Sequence, residues 1–300
     1  MTVMVIGGSG FIGSEVTKTL TKNGIDAISY DLIQSSTTGE GKWIRADILE
    51  LASIERVLFE YDVDTIIHLV GLPAIEYCEK NPHFSFLLNV TSVQNALEAM
   101  RKADVKKIVF ASSAAVYSPH SNEPIRETGV VAPSSIYGYH KLISEEAIRS
   151  YNHSYGIDYV ILRLFNVYGG NPYSGKDVIS IFIRRAIRNE PLVVKGPKKF
   201  RDFVHVNDVA KAFLASLREE VCNEVVNIGT GEKTTLGDVA QYVKEYFNNA
   251  KVIEEQTADD GTGLYADISK AKSVLKFEPI SSREGIRSHI AKYSQTAVVK

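Results

Sequence analysis

The segment Gly7-Gly8-Ser9-Gly10-Phe11-Ile12-Gly13 constrains this chain more than any other. It comes directly after the apolar run Val3 to Ile6. It also opens a stretch in which Phe11, Ile12, Val16 and Leu20 recur at helical spacing, stopped by Asn23-Gly24. A strand, a glycine turn and a helix in that order leave bare backbone where a pyrophosphate could approach, and a helix N-terminus offers it free N–H groups. Glycines also occur merely to turn a chain, so the trio carries little weight without Asp31. That residue stands at the tip of the next strand, Ile25 to Tyr30, eighteen residues after Gly13. A carboxylate there accepts both hydroxyls of an adenosine ribose and repels a 2′-phosphate, which favours NAD over NADP.

The same rhythm continues. Trp43 to Ile48, Thr65 to Val70, Lys107 to Ser112 and Tyr159 to Leu164 read as strands, separated by helices near Leu51–Glu60, Pro82–Lys102 and Ser135–Tyr155. Strands alternating with right-handed crossover helices predict an α/β fold, a doubly wound parallel (Rossmann-like) sheet covered on both faces. After Asn166 the rhythm loosens into a glycine-rich loop and shorter elements. The expected organisation is an NAD-binding domain over residues 1–165 and a smaller C-terminal α/β substrate lobe over 166–300, free to return segments to the first domain.

Composition closes several other routes. With 44% hydrophobic and 23% charged residues the chain can fill a core, which excludes disorder. Thirty-four basic against 36 acidic residues give a net charge of -2, so no nucleic acid or acidic lipid partner is expected. No charged leader precedes the first apolar run, and no stretch reaches the ~20 apolar residues that span a bilayer. Cys78 and Cys222 lie too far apart in sequence to suggest a disulfide framework, and a cytoplasmic setting is expected. The histidines show no metal-ligand spacing, and the glycine loop lacks the Gly-Lys-Ser/Thr of a triphosphate cradle. No metal is expected.

Tyr137 and Lys141 stand at i and i+4 on the helix after the strand that ends Ala111-Ser112-Ser113. An ammonium near a phenol favours the phenolate and turns tyrosine into a base usable near neutrality. A serine at a strand's carboxyl end can point into the crevice where open α/β sheets bind ligands. Ser113, Tyr137 and Lys141 together form the candidate catalytic group.

These residues belong to a longer set. Gly7 to Gly13, Asp31, Ala46-Asp47-Ile48, His68 to Gly71, Asn89, Ser112 to Tyr117 and Tyr137 to Lys141 are joined by Arg163 to Gly169, Arg201 to Val206, Asn227 to Gly231 and Ala266 to Ala271. The pattern resembles the extended short-chain dehydrogenases/reductases of the sugar-nucleotide epimerase/dehydratase family, nearest to the UDP-glucose 4-epimerases, over nearly the whole chain. The resemblance implies that Gly7, Gly10, Phe11, Ile12, Gly13, Asp31, Asp47, Ile48, Leu69, Val70, Gly71, Asn89, Tyr137, Lys141 and Phe165 form the NAD site. Ser113, Tyr137 and Lys141 would be catalytic; Ser113, Asn166 and Arg201 would meet a nucleotide-sugar substrate. Without it, Asn166 would read as a strand-end cap and Arg201 as half of an ion pair with Asp202.

Departures matter too. Thr262 stands where these epimerases usually offer a second diphosphate arginine, Pro73 replaces a common lysine, and Ala114-Ala115 fill the place where the dehydratases carry Asp-Glu. The function implied is an NAD-dependent epimerase of a nucleotide-linked sugar, of the UDP-glucose/UDP-galactose 4-epimerase kind, working through a transient 4-keto sugar. A sugar-nucleotide ketoreductase and a non-catalytic NAD-binding regulator are the alternatives. The Pro82–Lys102 and Ser135–Tyr155 helices resemble the pair that forms a four-helix dimer interface in relatives, which implies a homodimer; Phe84, Leu87, Leu88 and Leu97 offer apolar surface for it or for core packing against the sheet.

Overall fold

The computed structural model describes residues 1–34, 41–119, 121, 123–171, 173 and 175–297. In the first half, strands β1 (Thr2–Ile6), β2 (Asp26–Asp31), β3 (Lys42–Arg45), β4 (Thr65–His68), β5 (Lys107–Ser113) and β6 (Asp158–Leu164) alternate with helices. The helices are α1 (Phe11–Lys22), α2 (Leu51–Glu60), α3 (Ile75–Lys80), α4 (Pro82–Phe86), α5 (Ser92–Ala103) and α6 (Ile136–Tyr155). The single helix expected over Pro82–Lys102 is instead α4 and α5 joined by a π-helical turn at Leu87–Thr91. The strands expected to reach Ile48 and Val70 stop at Arg45 and His68, where the backbone leaves the ladder to form the sheet's C-terminal rim.

The second half contributes β7 (Asn166–Tyr168), α7 (Val178–Ile187), β8 (Leu192–Lys195), β9 (Phe200–Arg201), β10 (Phe203–His205), α8 (Val206–Ala215) and β11 (Glu224–Ile228). It ends with β12 (Thr234–Thr235), α9 (Leu236–Tyr246), β13 (Val252–Glu255), β14 (Gly263–Leu264) and α10 (Ser282–Ala297). The central sheet has the order β11-β6-β5-β4-β1-β2-β3, every neighbour parallel. β11 comes from the second half and pairs with β6 from Glu224↔Val160 to Ile228↔Leu164.

Strand side chains alternate between two cores, as a sheet covered on both faces requires. Val3, Val5, Val109, Val160 and Leu162 face α1 and α8 through Val16, Leu20, Val209 and Phe213. Met4, Ile6, Ile66, Ile108 and Phe110 face α2, α5 and α6 through Ile54, Val57, Leu97, Met100 and Ile148. Leu97 is wholly buried there, so it offers no outer surface. A third core, including Phe182, Ile183, Phe203, Val239 and Ile286, holds the smaller layer together.

Candidate active site

The carboxyl ends of the strands open onto a cavity of about 520 Å³. Phe11, Ile12, Leu69, Gly71, Ser113, Tyr137, Lys141, Phe165, Asn166, Arg201 and Thr262, drawn from both halves of the chain, all line it.

At one end lies the glycine turn. Gly7 has φ of +82°, and a Cβ on Gly13 would lie 2.0 Å from the Gly7 carbonyl oxygen, so both positions need glycine. Gly10 is the N-cap of α1. Asp31 sits beside the turn and accepts from Ser9 N–H at 3.1 Å and Ile33 N–H at 3.3 Å. Asp47 and Ile48 are farther along the same rim. The Asp47 carboxylate accepts from Leu49 N–H, its carbonyl accepts from Tyr30 Oη, and Ile48 is buried. Gly7, Gly10, Gly13, Asp31, Asp47, Ile48, Val70 and Asn89 do not line the cavity itself. Asn89 acts from behind: within the π turn, fully buried, it accepts from Leu72 N–H at 3.0 Å and donates to Ser85 Oγ at 3.1 Å. That fixes the loop after β4 over which Gly71 lies.

Ser113 ends β5, where its hydroxyl accepts from Ala115 N–H and hydrogen-bonds Tyr137. Ser135 caps α6 by accepting from Gly138 N–H, which sets where Tyr137 and Lys141 project. Burial pushes the Tyr137 phenol up to about 12, against the smaller lowering effect of the Ser113 hydrogen bond. Burial pushes the Lys141 ammonium down to about 8, with Glu145 opposing. The expected lowering of the Tyr137 phenol by the Lys141 ammonium is therefore not seen in this arrangement. The Lys141 nitrogen donates to Ala111 O at 2.9 Å and lies 6.0 Å from the Tyr137 ring centre, and desolvation dominates the phenol.

Behind this group runs a buried network that the sequence did not announce. Arg163 on β6 donates to both Glu145 oxygens (3.0 and 2.7 Å) and to Tyr117 Oη (2.9 Å). Ser112 donates to Glu145 at 2.5 Å, and Tyr117 donates to Asn227 on β11 at 2.7 Å. The available signal was Glu145 one helical turn beyond Lys141.

At the other end, Asn166 and Arg201 stand on β7 and β9. Arg201 donates to Phe200 O and does not pair with Asp202. Asp202 is fully buried and accepts instead from Thr230 N–H and Oγ1, Gly231 N–H and Ala266 N–H. Burial lowers the Arg201 guanidinium from its usual range, with Asp259 opposing. Asp259, missed in the sequence, also lines this end and pairs with Lys199 at 2.7 Å. Thr262 donates to Asp259 O at 2.7 Å. Chemically, the cavity offers a hydroxyl–phenol–ammonium group at its floor and one guanidinium at its far wall.

The family model for the NAD dependent epimerase/dehydratase family matches residues 3–229. A putative UDP-glucose 4-epimerase of Methanocaldococcus jannaschii is 37% identical over 295 residues, covering 95% of this chain and 96% of that protein. The crystal structure of a UDP-glucose 4-epimerase with UDP-glucose from Thermotoga maritima superposes with a TM-score of 0.91 at 29% identity, covering 99% of both chains. A UDP-glucose 4-epimerase from Brucella ovis in complex with NAD superposes with a TM-score of 0.90 at 28% identity, over 98% of both chains.

Proposed function

The chain belongs to the NAD dependent epimerase/dehydratase family, and from that premise we propose that it is an NAD-dependent 4-epimerase of a UDP-linked hexose. The observation that carries this reading is the grouping of Ser113, Tyr137 and Lys141 in one cavity with Asn166 and Arg201. The glycine turn without Cβ atoms, with Asp31 beside it, fits the pyrophosphate and adenosine ribose of NAD. Residues 1–165 are assigned to the cofactor and 166–300 to the substrate, with β11 belonging to the first by its pairing.

NAD, when bound, would supply the acceptor and donor of the C4 hydride and a positive charge that favours a phenolate. Tyr137 Oη takes the proton from the sugar C4 hydroxyl, and Ser113 Oγ hydrogen-bonds the same oxygen as it becomes a ketone. Lys141 holds the nicotinamide ribose. Asn166 and Arg201 grip the diphosphate, for which a guanidinium fork suits the phosphate oxygens. Tyr137 would keep that proton while the sugar is in its 4-keto form and return it to the same oxygen when C4 is reduced from the other face, which closes the proton balance over the cycle. Ala114 and Ala115 provide no acid or base beside Ser113, which supports epimerisation over loss of water.

The reading includes a cytoplasmic homodimer. Among the described residues no helix is long and apolar enough to cross a membrane. Phe84, Phe86, Tyr139 and Ile143 on α4 and α6 leave apolar surface exposed for a second copy.

The test is to incubate the purified protein, with its own cofactor, with a panel of nucleotide sugars and follow epimers by proton NMR. UDP-glucose and UDP-galactose should interconvert without net NADH. Net redox turnover would instead indicate a ketoreductase, and no turnover with any sugar a regulator. Tyr137→Phe should lower turnover at least ~100-fold while NAD binding survives. Light scattering at micromolar concentration should give a dimer mass; a monomer overturns that part.

A further inference from the structure

A second cavity, of about 210 Å³, lies between the N-terminal turn of α8 and the side of α10, and shares no lining residue with the catalytic cleft. Its floor includes His289, only 2% exposed, whose two ring nitrogens have no hydrogen-bond partner among the described residues. Tyr168, whose ring centre lies 6.0 Å from that of His289, does not line the cavity, though its buried hydroxyl likewise has no partner among the described residues. Buried polar atoms are almost always satisfied, so the two unpartnered nitrogens of His289, a residue lining the cavity, point to something that binds there.

The surrounding charge says what. Lys211 and Lys292 stand on the rim, and the positive end of the α8 dipole faces in. The opposing carboxylate, Asp208, already accepts from Lys211 at 2.8 Å and from Ile280 N–H at 3.1 Å. His205, the N-cap of α8, completes the wall with its ring centre 6.2 Å from that of His289. Burial first, then His205 and Lys292, hold His289 down to about 4, with Asp177 opposing; burial and both lysines lower His205, against Asp208 and Glu15. Imidazoles kept neutral chiefly by burial, and further by the neighbouring positive charges, would be favoured to take up protons once an anion entered. A planar carboxylate spans two donors, whereas a tetrahedral phosphate can meet a rim lysine and the floor imidazoles together.

We propose that the α8–α10 cavity is a binding site for a phosphate group, either inorganic phosphate or the phosphate of a small monoester, separate from the nucleotide-sugar cleft.

The experiment uses protein as purified, with bound cofactor and 13C-labelled histidine, observed by NMR near pH 6.5. Inorganic phosphate and, in a second arm, a hexose 6-phosphate are titrated in, with chloride at matched ionic strength as control. The His205 and His289 ring signals, assigned by His289→Gln and His205→Gln, should shift saturably with a Kd on the order of 1 mM or tighter. Tighter binding in the second arm identifies a monoester as the ligand; equal or weaker binding identifies the bare anion. Lys292→Met, an exposed change that leaves the fold unaltered in thermal melts, should weaken binding at least ~10-fold. Absence of saturation, an equal response to chloride, or full binding by Lys292→Met overturns the proposal and leaves the cavity to water.

Discussion

Glu145 and Asp202 are both carboxylates removed entirely from water, one behind each end of the cleft, yet they are held by opposite means. Glu145 faces two full cations, the partly exposed Arg149 and the buried Arg163 guanidinium, and the latter ties α6 to β6 directly behind Lys141. Asp202 has no cation partner among the described residues. Three backbone N–H groups and one hydroxyl gather around it and pull Thr230, Gly231 and Ala266 onto the strand beside Arg201. The catalytic end is locked by complementary charge between regular elements, and the substrate end by dipoles drawn from loops. A charge lock fails abruptly when one member is removed, whereas a dipole cluster loses its donors one at a time.

The largest test of that contrast is Arg163→Met, which leaves Glu145 buried with only the Ser112 hydroxyl and the partly exposed Arg149 as partners among the described residues and should cost up to about 3–5 kcal/mol in urea unfolding. Asp202→Asn keeps one acceptor oxygen and should cost less, about 1–3 kcal/mol. If the two costs came out reversed, the distinction between the locks would be broken.

Acid sharpens it further. Burial raises the Asp202 carboxyl above its usual range, so its contribution is full below the unfolded value of about 4 and fades as pH rises through the folded value. His68, buried against Phe110 at the catalytic end, runs the other way. Burial and Lys141 press it down to about 3, so between 3 and 6.5 the unfolded chain binds the proton better and stability falls as pH drops. Moving from about pH 7 to 5.5 should cost about 1 kcal/mol through His68, and His68→Leu should flatten that fall. An unchanged slope in the variant would remove His68 from the acid response.

The smallest effect is expected at the substrate wall. Arg201 is the sole arginine lining the described cavity, and Thr262 stands nearby with its hydroxyl bonded to Asp259 O. Thr262→Arg should lower KM for a UDP-hexose a few-fold, since a diphosphate carries about two charges to offset. A raised KM would mean that the wall is shaped for another headgroup.

Much of the catalytic end was legible because its signals are local. The glycine turn, Asp31 and the i, i+4 pair Tyr137 and Lys141 each lie on one strand, turn or helix whose period the sequence displays. The Arg163–Glu145 lock was not legible, because it depends on how α6 lies across β6. The substrate end was hardest. Its strands β7, β9, β10, β12 and β14 are two or three residues long, too short for an alternation to register. The adjacency of Arg201 and Asp202 suggested an ion pair, but successive side chains on an extended segment point to opposite sides. The π turn at Leu87–Thr91 was invisible for a similar reason: a single turn is too short for its own period to register.

The pairing of β11 with β6 has a consequence for synthesis. While the ribosome is still making residues beyond Leu164, β6 is the outer strand of a growing sheet, its row of N–H and C=O groups open to any other strand. Only when Glu224–Ile228 has emerged can that edge be closed, after the whole intervening segment has been translated. Closure by a strand so distant in sequence raises the contact order and slows the final folding step. The interval is when nascent chains can pair edge to edge, and truncations ending between residues 165 and 223 should aggregate rather than fold as a free half.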